Sequence, residues 1–79
     1  MIVEIYTGPG CGYCDQAKRL LSAKGYDDFI EIDARENIDA LKARVTNLGF
    51  PSPKTIPQIF MDGEYVGGYD QLVKRFAQV

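Results

Sequence analysis

A short β-branched and aromatic run, Ile2, Val3, Ile5 and Tyr6, stops at Thr7-Gly8-Pro9-Gly10 and gives way to apolar residues at helical spacing. The run reads as a buried strand entering a tight loop. From Tyr13 onward Ala17, Leu20, Leu21 and Lys24 recur at the helical period, Lys18 and Arg19 face outward, and Gly25 is a suitable stop. This spacing predicts an amphipathic helix of about three turns. Phe29, Ile30 and Ile32 supply the next strand. Strand, crossover helix and strand in that order are most simply a right-handed parallel βαβ unit.

The second half follows a different rule. Ile38, Leu41, Val45 and Leu48 predict a helix from about Asn37 to near Gly49. Phe50-Pro51-Ser52-Pro53-Lys54 reads as an extended loop. Gln58-Ile59-Phe60-Met61 and Glu64-Tyr65-Val66 flank Asp62-Gly63, the signature of a hairpin, so this part of the sheet is antiparallel. Gly67-Gly68 opens into a last helix whose apolar face is Leu72, Val73 and Phe76. The expected fold class is α/β with the order βαβαββα, three helices covering a four-stranded mixed sheet. A chain of 79 residues buries only about 60% of its unfolded surface, which leaves room for one core and therefore a single domain over residues 1–79.

Composition narrows the function. Hydrophobic residues at 46% and charged residues at 25% suit a folded domain. A formal net charge of -2 argues against nucleic acid as a partner, since binding a phosphate backbone needs clustered Lys and Arg. Apolar runs of a few residues fall far short of a membrane span, and MIVEIY carries an acid, so neither a signal peptide nor a membrane anchor is expected. With 2 cysteines and no histidine, a closed mononuclear zinc site would lack ligands.

Cys11-Gly12-Tyr13-Cys14 falls where the first strand turns into the first helix. Unpaired N–H groups and the positive end of the helix dipole favour a thiolate at Cys11. Cys11 is therefore the expected nucleophile. Cys14, within the first turn, is placed to resolve a mixed disulfide formed at Cys11. A structural disulfide closing so small a loop would remove little chain entropy, and half a zinc site would need a second chain. The βαβ context favours redox exchange over both.

Cys11-Gly12-Tyr13-Cys14, Thr55-Ile56-Pro57 and Gly67-Gly68-Tyr69-Asp70, in that order and at these separations, resemble the dithiol glutaredoxins of the thioredoxin fold. The resemblance covers essentially the whole chain. Cys14 to Leu21 and Gly68 to Leu72 look most like glutaredoxins of large tailed phages, with a bacterial origin as the alternative. It implies a cis Pro57 that sets the Ile56 backbone beside the thiols, to pair with the cysteinyl segment of glutathione. It further implies that the N–H groups of Tyr69 and Asp70 hold the γ-glutamyl carboxylate, with Gly68 alongside and the Asp70 carboxylate near the ammonium. Tyr13 would flank this groove and Thr55 would lie at its rim. A plain helix cap at Asp70, a merely packed Tyr69 and an ordinary edge proline at position 57 are the bland alternatives.

Two departures from the family pattern matter. Many dithiol glutaredoxins carry proline where this chain has Gly12 and lysine where it has Gly8. Without that lysine, the glycyl carboxylate of glutathione falls to Lys42, Arg44 or Lys54. Gly12 admits a second activity, a [2Fe-2S] cluster bridged between the Cys11 thiolates of two chains with glutathione as co-ligand. The principal expectation is a monomeric, cytoplasmic, glutathione-dependent thiol-disulfide oxidoreductase, in the host cell if phage-encoded, with ribonucleotide reductase as a plausible client. A thioredoxin-like reductant fed by a thioredoxin reductase is the remaining alternative.

Overall fold

The computed structural model describes residues 1–77. Its elements are β1 (Val3–Thr7), α1 (Gly12–Ala23), β2 (Ile30–Asp33), α2 (Ile38–Asn47), β3 (Gln58–Met61), β4 (Glu64–Gly67) and α3 (Tyr69–Ala77). The four strands form one sheet in the order β2-β1-β3-β4, with β1 parallel to β2 and antiparallel to β3, and β3 antiparallel to β4. The expected thioredoxin-type βαβαββα arrangement is present in full. Its hairpin turns at Asp62 and Gly63 with φ of 52° and 79°, the paired left-handed geometry for which an Asp-Gly turn is suited.

Strand alternation divides the buried side chains between the two faces of this one sheet. Val3 and Ile5 point to one face, where Ala17 and Leu21 of α1, Ile59 and Met61 of β3 and Leu72 of α3 bury against them. Tyr6 and Phe60 point to the other, against Leu41 and Val45 of α2. Each fully buried Leu, Ile or Phe contributes about 1.5–3 kcal/mol, so these two rows hold α1 and α3 on one side of the sheet and α2 on the other.

The apolar faces are narrower than the sequence suggests. Leu41 and Val45 are buried, but Ile38 and Leu48 at the ends of α2 are 37% and 49% exposed, and Val73 of α3 is 41% exposed. A straight helix touches a twisted sheet over its middle turns, so Ile38 and Leu48 reach past the contact, while Val73 is turned about 100° around α3 from the buried Leu72 and lies at the margin of its apolar face. Both α1 and α2 end with paired six-to-one and five-to-two hydrogen bonds, Tyr26 to Leu21 with Gly25 to Ser22, and Phe50 to Val45 with Gly49 to Thr46.

An ion pair ties α2 to the sheet. The Arg44 guanidinium donates to both Glu4 carboxylate oxygens at 2.8 and 2.9 Å and to the Tyr6 hydroxyl at 3.1 Å, while lying 3.8 Å over the Phe60 ring. These hydrogen bonds hold the Glu4 carboxyl below its ordinary value, against the opposing effect of burial. A depressed folded-state value means the pair stabilises fully above the ordinary carboxylate pKa of 4.5 and ceases to do so as pH falls through the folded one. Glu4→Gln is expected to cost about 1 kcal/mol at neutral pH and to make the acid limb of the stability curve shallower. Denaturant unfolding across the acid range checks this, and an unchanged acid limb would contradict it.

Candidate functional site

The site is built where β1 stops. Cys11 is the N-cap of α1, with extended backbone (φ -94°, ψ 103°), and its sulfur accepts the Cys14 backbone N–H at 3.1 Å. A sulfur thus occupies the position usually taken by a Ser, Thr or Asp oxygen, against an N–H that has no partner within the helix. Cys11 and Cys14 form a disulfide, with their Cα atoms 5.2 Å apart. The two sulfurs are unequally placed: Cys11 is half-buried, while Cys14 is only 1% exposed. An incoming sulfur can reach Cys11 far more readily than Cys14.

Helix α1 is held in place by polar contacts as well as by its core face. Glu31 on β2 accepts from the Thr7 hydroxyl at 2.7 Å and from Lys18 of α1 at 3.1 Å, and Lys18 lies 3.7 Å from Asp15. The Thr7 and Lys18 hydrogen bonds lower the Glu31 pKa. This bracket joins the last residue of β1, the edge strand and the first helix just below the thiols.

The Ile56–Pro57 peptide bond is cis, and the Ile56 carbonyl oxygen lies 3.7 Å from Cys11 Sγ. Gly8 packs against Ile56 so closely that a Cβ there would come within 2.9 Å of Ile56 Cδ1. The Ile56 side chain therefore fills the space in which a side chain at position 8 would begin, so a glycine suits this position.

A cavity of about 350 Å³ opens beside the disulfide, lined by Tyr13, Thr55, Ile56, Pro57, Gly68, Tyr69, Asp70 and Gln71. All seven residues expected around Cys11 and Cys14 converge on it. Tyr13 is 60% exposed and pairs with Tyr69, ring centroids 5.7 Å apart. The Leu72 N–H donates to the Gly68 carbonyl at 3.0 Å, which makes Gly68 the cap of α3 and leaves the N–H groups of its first turn facing outward.

Gln71 is a site residue the sequence reading missed. Its Oε1 accepts the Gly68 N–H at 2.9 Å, the reciprocal half of a capping box. Asp70 is exposed and is not the cap, so its carboxylate remains at the cavity mouth. The available signal was a glutamine three positions after the start of an expected helix.

A second cavity, about 440 Å³, shares Thr55 and Ile56 with the first and carries Lys42 and Lys54 with Ile38, Leu41, Ser52 and Pro53. Of the three bases considered for a terminal carboxylate, Lys42 and Lys54 line this space, whereas Arg44 is engaged by Glu4 and Tyr6. Among the described residues, no group of three or more His, Cys, Asp or Glu side chains is placed to hold a metal ion. No helix among them is long and apolar enough to cross a membrane.

Residues 3–66 match the sequence profile of the Glutaredoxin family. Glutaredoxin 3 of Escherichia coli K12 is 41% identical over 70 residues, covering 89% of this chain and 80% of that protein. The glutaredoxin of Enterobacteria phage T4 is 38% identical over 73 residues, 84% of each. A hybrid peroxiredoxin of Haemophilus influenzae is 37% identical over 75 residues, 95% of this chain, which spans only 29% of that longer relative. Among solved structures, glutaredoxin 1 of Francisella tularensis superposes with a TM-score of 0.78 at 31% identity, covering 98% of this chain and 93% of that one. Bacterial and phage relatives thus stand at similar identity.

Proposed function

The chain belongs to the glutaredoxin family of thiol-disulfide oxidoreductases, and from that membership we propose a dithiol enzyme that takes its electrons from glutathione. The observation that supports this most is the cavity beside Cys11, which joins the amide-bearing start of α3 to the Thr55–Pro57 edge. Glutathione offers matching groups. Its γ-glutamyl carboxylate suits the N–H groups of Tyr69 and Asp70, and its ammonium suits the Asp70 carboxylate. Its cysteinyl backbone pairs with Ile56, and its glycyl carboxylate turns toward Lys42 or Lys54 in the adjoining cavity.

The reaction is a chain of sulfur exchanges. The Cys11 thiolate attacks a client disulfide, forming a Cys11–client mixed disulfide and expelling one client thiolate. Cys14 gives up its proton and attacks Cys11 Sγ, releasing the second client thiol and leaving the Cys11–Cys14 disulfide. One glutathione thiolate then attacks Cys11 Sγ and frees Cys14. A second attacks the glutathione sulfur, producing glutathione disulfide and restoring the Cys11 thiolate. Two glutathiones are oxidised for each client disulfide reduced. With a glutathione mixed disulfide as client, Cys11 takes the glutathione directly and Cys14 is dispensable.

Protein clients in this reading include a ribonucleotide reductase, the cell compartment is the cytoplasm, and the working form is a monomer folded as one domain over residues 1–79. The decisive comparison feeds the enzyme either from glutathione with glutathione reductase or from thioredoxin reductase. Turnover with the first and none with the second is expected, and the reverse pattern would overturn the reading.

A further inference from the structure

Gln58, the first residue of β3, is 3% exposed, and both ends of its amide are hydrogen-bonded. Its Nε2 donates to the Thr55 carbonyl at 2.8 Å, and its Oε1 accepts from the Tyr65 hydroxyl. A carbonyl only accepts, so the NH₂ must face Thr55 and the oxygen must face Tyr65. Tyr65 is itself braced, its ring 5.0 Å from Phe50 and 5.2 Å from Phe60. Burial raises the pKa of its hydroxyl, which stays protonated and able to donate. A continuous line of contacts therefore runs from Phe50 through Tyr65 and Gln58 to Thr55.

The far end of that line needs support. Residues 50–57 carry no regular secondary structure, so no sheet ladder or helix fixes them. Thr55 nevertheless lines both of the cavities described above, and a third of about 380 Å³ that also includes Gln58, Tyr65, Gly68 and Gln71. We infer that Gln58 is a positioning residue: its amide locks the Thr55 carbonyl, and with it Ile56 and Pro57, into the edge that pairs with the cysteinyl segment of a bound glutathione. The inference rests on the reading of the site as a glutathione groove. Gln58 touches no reacting atom, so its removal should weaken binding and leave the thiol chemistry alone.

The test uses the full chain with a glutathionylated peptide as substrate. Gln58→Leu is expected to raise KM by about tenfold, the loss of one to two buried hydrogen bonds, with kcat and the pH dependence of Cys11 alkylation unchanged. Gln58→Glu adds a signature that general destabilisation would not produce. While neutral, the introduced carboxyl donates to Thr55 and accepts from Tyr65 as the amide does; once ionised, it sets an acceptor against the Thr55 carbonyl. KM should therefore be near wild type at low pH and rise with pH, relative to wild type, only in this variant. The other titratable and charged groups on that face and its rim, Tyr6, Tyr65, the Arg44–Glu4 pair and Lys54, are common to wild type, Gln58→Leu and Gln58→Glu.

An unchanged KM in folded Gln58→Leu overturns the inference. If wild type itself shows no saturable turnover of the glutathione mixed disulfide, the glutathione reading fails. Backbone ¹⁵N relaxation at Thr55 and Ile56 then decides the positioning role, with lower order parameters in Gln58→Leu supporting it and no change overturning it. Should Gln58→Leu not fold, Tyr65→Phe releases the orientation of the amide. A KM increase of about threefold would support the inference, and no change would overturn it.

Discussion

Cys11→Ser is expected to abolish both reduction of protein disulfides and removal of glutathione from mixed disulfides, each falling by at least about 10³-fold. Cys14→Ser should lose only the first. The asymmetry follows from placement. Cys11 is half-buried at the N-cap, where its sulfur accepts the Cys14 N–H at 3.1 Å. Cys14 is 1% exposed, so an external disulfide has no direct path to it. Attack must start at Cys11, and Cys14 acts only by displacing what Cys11 has captured. Replacing Cys14 removes the intramolecular exit from a protein mixed disulfide, but glutathione can still attack a glutathione already bound at Cys11. Steady-state assays on the two substrate classes separate the roles, and equal losses in the two variants would contradict them.

Gly67→Ala is expected to have the next largest effect, costing about 1–3 kcal/mol of stability and raising the glutathione KM by about tenfold or more. Gly67 has φ of 116°, a region closed to alanine without strain. A Cβ there would also meet Gln71 Cγ at 2.9 Å and Gln71 Cβ at 3.1 Å. The first is a mobile atom, but the second is fixed to the backbone of α3, so the turn and the helix start must separate. Gln71 would then be displaced from the Gly68 N–H, which it caps at 2.9 Å, and the anion-binding end of the groove would lose its alignment. Gln71→Ala removes the cap without backbone strain and should cost less, about 1 kcal/mol. A folded Gly67→Ala variant with the wild-type glutathione KM would rule out this account of the α3 terminus.

The fold was legible because its local and global signals agree. Asp62-Gly63 specified a turn whose two positive φ angles the structure contains, and the alternation of Val3, Ile5 and Tyr6 distributed side chains to both faces of β1. The cysteine pair was legible because its chemistry depends on adjacent backbone, at the start of the helix that follows. Contacts between distant parts of the chain were harder to read. Arg44 looked available for a substrate carboxylate because its partner Glu4 lies 40 positions away, and only the packing of α2 on the sheet brings them together. Gln58 gave no sign that its amide would bridge Thr55 and Tyr65, since nothing local distinguishes a bonded glutamine from a solvated one. Helical spacing overstated burial at Ile38 and Leu48 for a related reason: periodicity assigns a face, while the curvature of the opposing sheet decides how much of that face is covered.

Every exchange at this site depends on the ionisation of one sulfur at the start of α1. The most direct measurement is the pH dependence of iodoacetamide alkylation of Cys11 in the Cys14→Ser variant, which keeps the backbone N–H at position 14. The expected midpoint lies within roughly 3.5–7.5, where helix N-termini and neighbouring donors place reactive thiols. A midpoint near that of a free thiol, about 8.5, would contradict the account.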